Sequence, residues 1–461
     1  MKSYEFGNEF TSGSTRSGKS YFEIQKTIAA AESAHTAIVQ IDPHPNSLCA
    51  GSFQQLVARG HEHRILYDQL PRLDRVPGYQ FLRASAAENP LTRFAEDEQY
   101  AREFSDVLMR RREMKSMAAA PQTEEWTIAA ILFLIRQQKM RSAGELPFAF
   151  RPNSAKFAEL LCGCTDPDLR DKFREVATGV VKRGYYAAAQ RLIDSVCTSP
   201  AFAARCGTTF DLEKFLDRRG ILLIEGGSHG ISEDAMRTIM GAVILQVISY
   251  VRRRRSVFPR VLLQLDEATN ANLIGAAGHE VRAMAECQKM GLDVHVLVQS
   301  PNFPSSFITD AVLTNCLTHT WFYAANDSVA RMAAADLGDS ELKNEVRSLT
   351  QGQCYIKRRH RVQRFSVPEL SDPWSFPELS ARKAMEAHLR ILLRPEYQEP
   401  SWNPPNHSTG GNAIPLSDSS PARTRSASNT SVPSSPADRL RTGGSQNCDD
   451  ANDCDTSGPS K

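Results

Sequence analysis

Two kinds of apolar pattern alternate along this chain. Near-continuous apolar runs occur at Ala37 to Ile41, Ile221 to Ile224, Val261 to Leu265 and Val294 to Val298. Each is too short for a helix and ends in polar residues, which predicts strands buried on both faces. "EHRILYDQL" and "THTWFYA" read as further strands, and "GQCYIKRRHRVQRFSV" as a hairpin-like pair. Between them, "SYFEIQKTIAAAESA" and the stretch from about Ser232 to Arg255 place apolar residues at helical spacing. From about Glu88 to Arg205 the helical period is unbroken, through "QYAREFSDVLMRRREMK", "EEWTIAAILFLIRQQKM" and "DKFREVATGVVKRGYYAAAQRLIDSV". Strands alternating with helices predict an α/β fold with a mostly parallel sheet covered on both faces, interrupted by an all-helical insert. Beyond Pro400 the chain turns to Ser, Pro, Thr, Gly, Asn and Asp, with no aromatic residue after Trp402. Such a segment buries too little to offset its ordering entropy and reads as a disordered tail.

Composition narrows the function classes. With 461 residues the chain exceeds one ordinary core, while 41% apolar and 23% charged residues are ordinary for a soluble globular protein. A net charge of +2 excludes a protein that coats itself in nucleic acid, so contact with DNA has to be local. No apolar run approaches the roughly 18 residues of a membrane span, and Met1, Lys2 and Ser3 lead into polar residues rather than a signal peptide. The expectation is a cytoplasmic protein with its ten cysteines reduced. Cys162, Cys164, Cys197 and Cys206 lack zinc-ligand spacing, and His61-Glu62-His63 reads as a solvated turn. Basic runs at Arg252 to Arg255, Met109 to Lys115 and Ile356 to Arg364 read first as solvated surface, and second as places where a phosphate backbone can touch.

The chemistry starts at "GSTRSGKS", residues 13 to 20, which fits G-x-x-x-x-G-K-[ST]. Gly13 and Gly18 free the backbone of Ser14, Thr15, Arg16 and Ser17 to turn successive N–H groups on a phosphate chain. Lys19 reaches the β and γ phosphates and Ser20 takes Mg²⁺. The strand before the loop is meagre, with only Tyr4, Phe6 and Phe10 to bury. "VLLQLDEA" delivers Asp266 and Glu267 from a strand end, one to hold Mg²⁺ and the other to activate the attacking water. The competing reading is a helix cap opening "DEATNANLIG". "VLVQSP" sets Gln299 at the next strand end, either as a sensor of the γ phosphate or as a simple turn.

These motifs, with the "IDPHP" strand end, "ENPL" at Glu88 to Leu91 and "QKMGLDVHVLVQSPNF", resemble the HerA–FtsK superfamily of DNA-pumping ATPases. Within it the chain looks most like the type IV coupling proteins of conjugation, the TraG/TraD group. The resemblance implies a RecA-like P-loop NTPase core in two parts, 1–87 and 206–400, an all-helical insert at 88–205 and a tail at 401–461. It implies ATP and Mg²⁺ as cofactors, a homo-hexameric ring with ATP between subunits, and DNA moved through the channel. A relaxase or secretion-channel proteins are the implied partners, and any place at the inner membrane comes through such a partner. Lys19, Ser20, Asp266, Glu267 and Gln299 match the family's positions. The chain departs in lacking an N-terminal membrane anchor and in showing Gln288-Lys289 where the family tends to Arg-Lys. Arg282 or Lys289 is then the candidate finger reaching a neighbour's γ phosphate. A HerA-like helicase, a phage DNA-packaging ATPase and a nucleotide-gated docking scaffold are the alternative readings.

Overall fold

The computed structural model describes residues 6–33, 35–110, 121–254, 256–275, 278–367 and 381–399. Residues 401–461, read above as a tail, lie outside these, as do 111–115 and Arg255 of the basic runs.

Nine strands form one sheet. They are β1 (Glu9–Ser12), β2 (Thr36–Asp42), β3 (Ile65–Gln69), β5 (Ile221–Glu225), β6 (Arg260–Leu265), β7 (Leu292–Val298), β8 (Thr318–Phe322), β9 (Gln353–Arg358) and β10 (Arg361–Ser366), in the spatial order β10-β9-β8-β1-β7-β6-β2-β5-β3. Seven neighbours from β8 to β3 run parallel, and the β9–β10 hairpin adds antiparallel strands at one edge. A two-stranded ladder pairs β4 (Val76–Pro77) with β11 (Tyr397–Gln398). The buried runs predicted from the sequence are these strands. Crossover helices α1 (Lys19–Glu32), α2 (Leu48–Ala58), α10 (Glu233–Arg253), α11 (His279–Cys287) and α12 (Ser306–Asn315) connect the parallel strands, and α13 (Asp327–Leu337) and α14 (Leu342–Val346) lead from β8 to the antiparallel β9.

The meagre first strand sits in the middle of the sheet, with β7 on one side and β8 on the other. Position compensates for its length. Phe10 is fully buried and meets the Trp321 ring edge-on at 5.3 Å. Asn8, just before it, donates to the carbonyls of Met284 at 2.9 Å and Asn315 at 3.1 Å and accepts from the Val294 N–H at 2.9 Å.

Under α1 the sheet surface is polar rather than apolar. Thr27 Oγ1 and Gln40 Nε2 both donate to Gln264 Oε1 at 2.8 Å, and His295 Nδ1 lies 3.0 Å from Glu23 Oε2. Burial penalises the Glu23 carboxylate, yet Lys26 and His295 together hold its pKa well below the ordinary range. Glu9, Glu23 and His295 lie within metal-ligand reach of one another, but the Lys26 ammonium pairs with both carboxylates. The cluster is a salt-bridge network fastening α1 to β1 and β7.

Among the described residues between β4 and β5 the named elements are helices: α3 (Pro90–Met109), α4 (Pro121–Ile135), α5 (Ala155–Gly163), α6 (Pro167–Thr178), α7 (Ala187–Cys197), α8 (Pro200–Arg205) and α9 (Leu212–Asp217), with short 3-10 turns. Asn89 caps α3 by accepting from the Leu91 N–H at 2.9 Å, with Pro90 at the first helical position. Trp126, Phe133, Phe150, Phe173 and Tyr186 make an aromatic core within these helices, Phe133 stacking on Phe173 at 4.2 Å. A buried ion pair, Arg205 Nη2 to Asp68 Oδ1 at 2.6 Å, ties α8 to β3.

α10 is the one helix among the described residues long and apolar enough to cross a membrane, and 78% of its apolar window is buried inside the fold. Its described arginines Arg252, Arg253 and Arg254 are half-buried and partnered. Arg252 pairs with Glu103, Arg253 with Glu213, and Arg254 donates to the carbonyl of Met290 at 2.7 Å. α15 (Ala381–Leu392), the last helix among the described residues, lies against α2 and β3, and β11 follows it.

Candidate nucleotide site

β1 runs straight into the glycine-rich loop, and β7 and β6 are its first and second neighbours on one side. The register pairs Ser12 with Val298, and Val296 with Leu265. Loop, Gln299 and the Asp266–Glu267 pair therefore emerge at the same end of three adjacent strands. A crevice outside the carboxyl ends of parallel strands is where α/β sheets take their ligands.

The loop is built on close approach. A Cβ on Gly13 would stand 2.5 Å from Phe322 Cβ and 2.8 Å from Ser17 Oγ. Gly18 has φ +109°, and a Cβ there would lie 3.1 Å from the Gly352 Cα. The Ser14 N–H donates to the Tyr323 carbonyl at 2.8 Å, and the Gly352 N–H to the Ser17 carbonyl at 2.9 Å, so β8 and the start of β9 hold the loop. Thr15 and Arg16 are exposed, Arg16 with φ +64°. The Lys19 ammonium turns back onto the Gly13 carbonyl at 2.6 Å and the Ser14 carbonyl at 3.4 Å. Burial lowers its pKa, and the charges of Asp266 and Glu267 oppose that shift. Ser20 opens α1, half-buried, one residue beyond Lys19.

The acids meet their partners directly. Glu267 has φ +49°, a conformation uncommon for a side-chain-bearing residue. Its Oε1 accepts from Gln299 Nε2 at 2.7 Å and its Oε2 from Asn270 Nδ2 at 2.6 Å. Residues 266–272 form turns, and the next described helix starts at His279, so the acids do not cap it. Asp266 is buried, and burial together with the Glu267 charge pushes its pKa up to about 7, against the pull of Lys19. Asp42, at the end of β2, is likewise raised by burial and then by the charge of Asp266. Its carboxylate is spent on the loop to α2, accepting from Leu48 at 2.6 Å and His44 at 2.9 Å.

Does this donor set suit a divalent cation and phosphates? Two buried carboxylates with raised pKa values stand near one ammonium, which is a surplus of negative charge that a cation relieves. On the loop side, Ser12 Oγ and Ser17 Oγ are buried without a hydrogen-bond partner among the described residues. Hydroxyls left unsatisfied at a glycine cradle suit a ligand rich in acceptor oxygens. The residues fit both groups.

The structure brings neither candidate finger to this loop. Lys289 is exposed in the turn before β7, at the opposite end of that strand from Gln299, and the strand of 7 residues alone spans about 23 Å. Arg282 is exposed on α11 and lines a groove with Glu98 and Arg102 of α3 and Arg252 of α10. Two groups escaped sequence reasoning. Asp42 had a visible signal, an acid at a strand end beside the others. Gly352, more than 330 residues from Gly18, had none.

The strand order and the loop define a RecA-like P-loop NTPase fold. Among solved structures the chain is similar to the bacterial conjugative coupling protein TrwB. The unbound form, TrwBdeltaN70, superposes with a TM-score of 0.57 at 14% identity, over 80% of this chain and 87% of that one. TrwB in complex with the GTP analogue GDPNP gives 0.57 over 80% and 88%, again at 14% identity. TrwB in complex with ADP and Mg²⁺ gives 0.53 over 78% and 85%, at 12% identity. No family model matches the chain, and no curated protein matches its sequence.

Proposed function

We propose that this chain is an ATP-hydrolysing motor that moves DNA, in conjugative transfer or a type IV secretion system. The observation that carries the reading is the hydrogen bond from Gln299 to Glu267, beside the lysine loop, at the ends of three adjacent strands. A sensor and a base that share a proton contact respond together to a γ phosphate. The shared fold with TrwB, a coupling protein solved with ADP and Mg²⁺, supports the same assignment.

In this reading the N–H groups of residues 13–20 cradle the phosphates and Lys19 leaves the Gly13 carbonyl for their β and γ oxygens. Asp266 and Ser20 hold Mg²⁺, which neutralises phosphate charge when bound. Glu267 orients the attacking water and takes its proton, and Gln299 positions Glu267. ATP lies between subunits of a homo-hexamer, where Arg282 or Lys289 of one copy faces the nucleotide of the next. DNA passes through the ring, and a relaxase or channel protein delivers it. The protein works in the cytoplasm, at the inner membrane through such partners.

The test is the ATPase rate with and without single- and double-stranded DNA, in the wild type and in Glu267→Gln. Removing a general base of this kind lowers hydrolysis by about 10²-fold or more while ATP still binds, and the DNA stimulation disappears. An unchanged rate in Glu267→Gln overturns the assignment of the base. Hydrolysis indifferent to either form of DNA overturns the motor.

A further inference from the structure

The loop that begins at Glu267 is held at both ends. At its start Asn270 Nδ2 holds Glu267 Oε2, the Ala268 N–H donates to the Leu297 carbonyl at 3.1 Å, and Thr269 Oγ1 donates to the Ser300 carbonyl at 3.3 Å. These bonds lock the loop to the β7 end that carries Gln299. At its far side the partner is a residue of the helical region. Arg110, at the C-terminal cap of α3, donates Nη1 to the Leu273 carbonyl at 3.1 Å and pairs Nη2 with Glu280 Oε1. Glu280 Oε2 in turn accepts from the Gly275 N–H at 3.2 Å. A Cβ on Gly275 would run into the Arg110 guanidinium, so the loop backbone lies directly on it. One turn earlier on α3, Asp106 pairs with His279 at the start of α11.

This arrangement is a poor way merely to stabilise a fold. The Arg110 and Glu280 side chains are only 9% and 7% exposed, and a buried ion pair is often no more stable than apolar residues of the same volume. What such a pair supplies is a specific geometry. Here the two groups spend their bonds on Leu273 and Gly275, the backbone of a loop whose other end sits at φ +49° on the Glu267 side. The loop that carries Glu267 thus runs into a guanidinium seated at the end of α3.

We propose that Arg110 is a positioning residue that ties the Glu267 loop to helix α3, so that a change at the nucleotide site moves the helical region. The proposal rests on the nucleotide reading above. Coupling of this kind travels through discrete packed contacts rather than continuous deformation.

The test uses the full chain and compares wild type, Arg110→Ala and Arg110→Lys. Amide hydrogen exchange of residues 90–109 and 267–275 is followed with and without an ATP analogue and Mg²⁺, alongside ATPase kinetics. In the wild type the nucleotide changes exchange in both segments. In Arg110→Ala the 267–275 segment still responds and α3 does not, and kcat falls about 2- to 30-fold while KM stays nearly constant. Arg110→Lys keeps the charge pair with Glu280 and restores part of the α3 response. An α3 response that survives in Arg110→Ala overturns the proposal, as does a wild type that binds nucleotide with α3 unresponsive. A wild type that binds no nucleotide overturns the site reading and this proposal with it.

Discussion

The loop around Lys19 depends on the absence of side chains at particular points. Gly13→Ala sets a methyl against Phe322 and the buried Ser17 hydroxyl. Overpacking of this kind costs about 1–3 kcal/mol. Relief by shifting the loop also spoils the cradle, so a lowered melting temperature and at least a tenfold weaker ATP titration are expected together. A variant that loses only one of the two would separate packing from phosphate binding. At this scale the sequence was most informative where chemistry is local. That Gly13 to Ser20, Asp266, Glu267 and Gln299 come out at strand ends was legible because motif and strand-end position travel together. The contacts of Gly352 with the loop and of Arg110 with Leu273 were not, because each joins distant segments through backbone groups that every residue carries.

Among the elements, strand runs were legible because burial on both faces leaves continuous apolar stretches. The value of β1 was not, since four residues with one large apolar side chain reveal nothing about being flanked on both sides. The basic end of α10 looked like surface because its acidic partners, Glu103 and Glu213, lie on α3 and α9. α15 shows how an element can be conditional. Its His388 ring lies 5.7 Å from Phe53 and 5.4 Å from Tyr67, and burial, helped by Arg72, lowers its pKa to about 4. An unfolded histidine titrates near 6.5. The folded value is the lower one, so the unfolded chain binds the extra proton between the two. The stability this ring contributes is complete above about pH 6.5 and is lost as the pH falls towards 4. Amide exchange across residues 381–392 is expected to quicken over that window, and His388→Phe to flatten the dependence.

For the molecule as a whole, the sheet has to be closed by segments from both ends of its sequence. Asn8 is the point of closure, since its fully buried amide satisfies the backbone at the ends of α11 and α12 and at the start of β7. Asn8→Ala leaves three buried backbone groups without that partner. A single buried unsatisfied group costs about 1–3 kcal/mol, so a loss of about 2 kcal/mol or more is expected in urea denaturation. A shift in midpoint below that would mean that water replaces the side chain.

The central place of β1 also has a consequence in time. Its ladder partners, β7 and β8, are made about 280 to 310 residues later. During synthesis Phe10 and the loop that follows it wait, unpaired, while the helices of residues 90–217 assemble their own aromatic core. At about 5–20 residues per second that interval is tens of seconds. Throughout it β1 is a strand with no neighbour to join, and β6, once made, is an unpaired sheet edge, the state in which a chaperone has most to do.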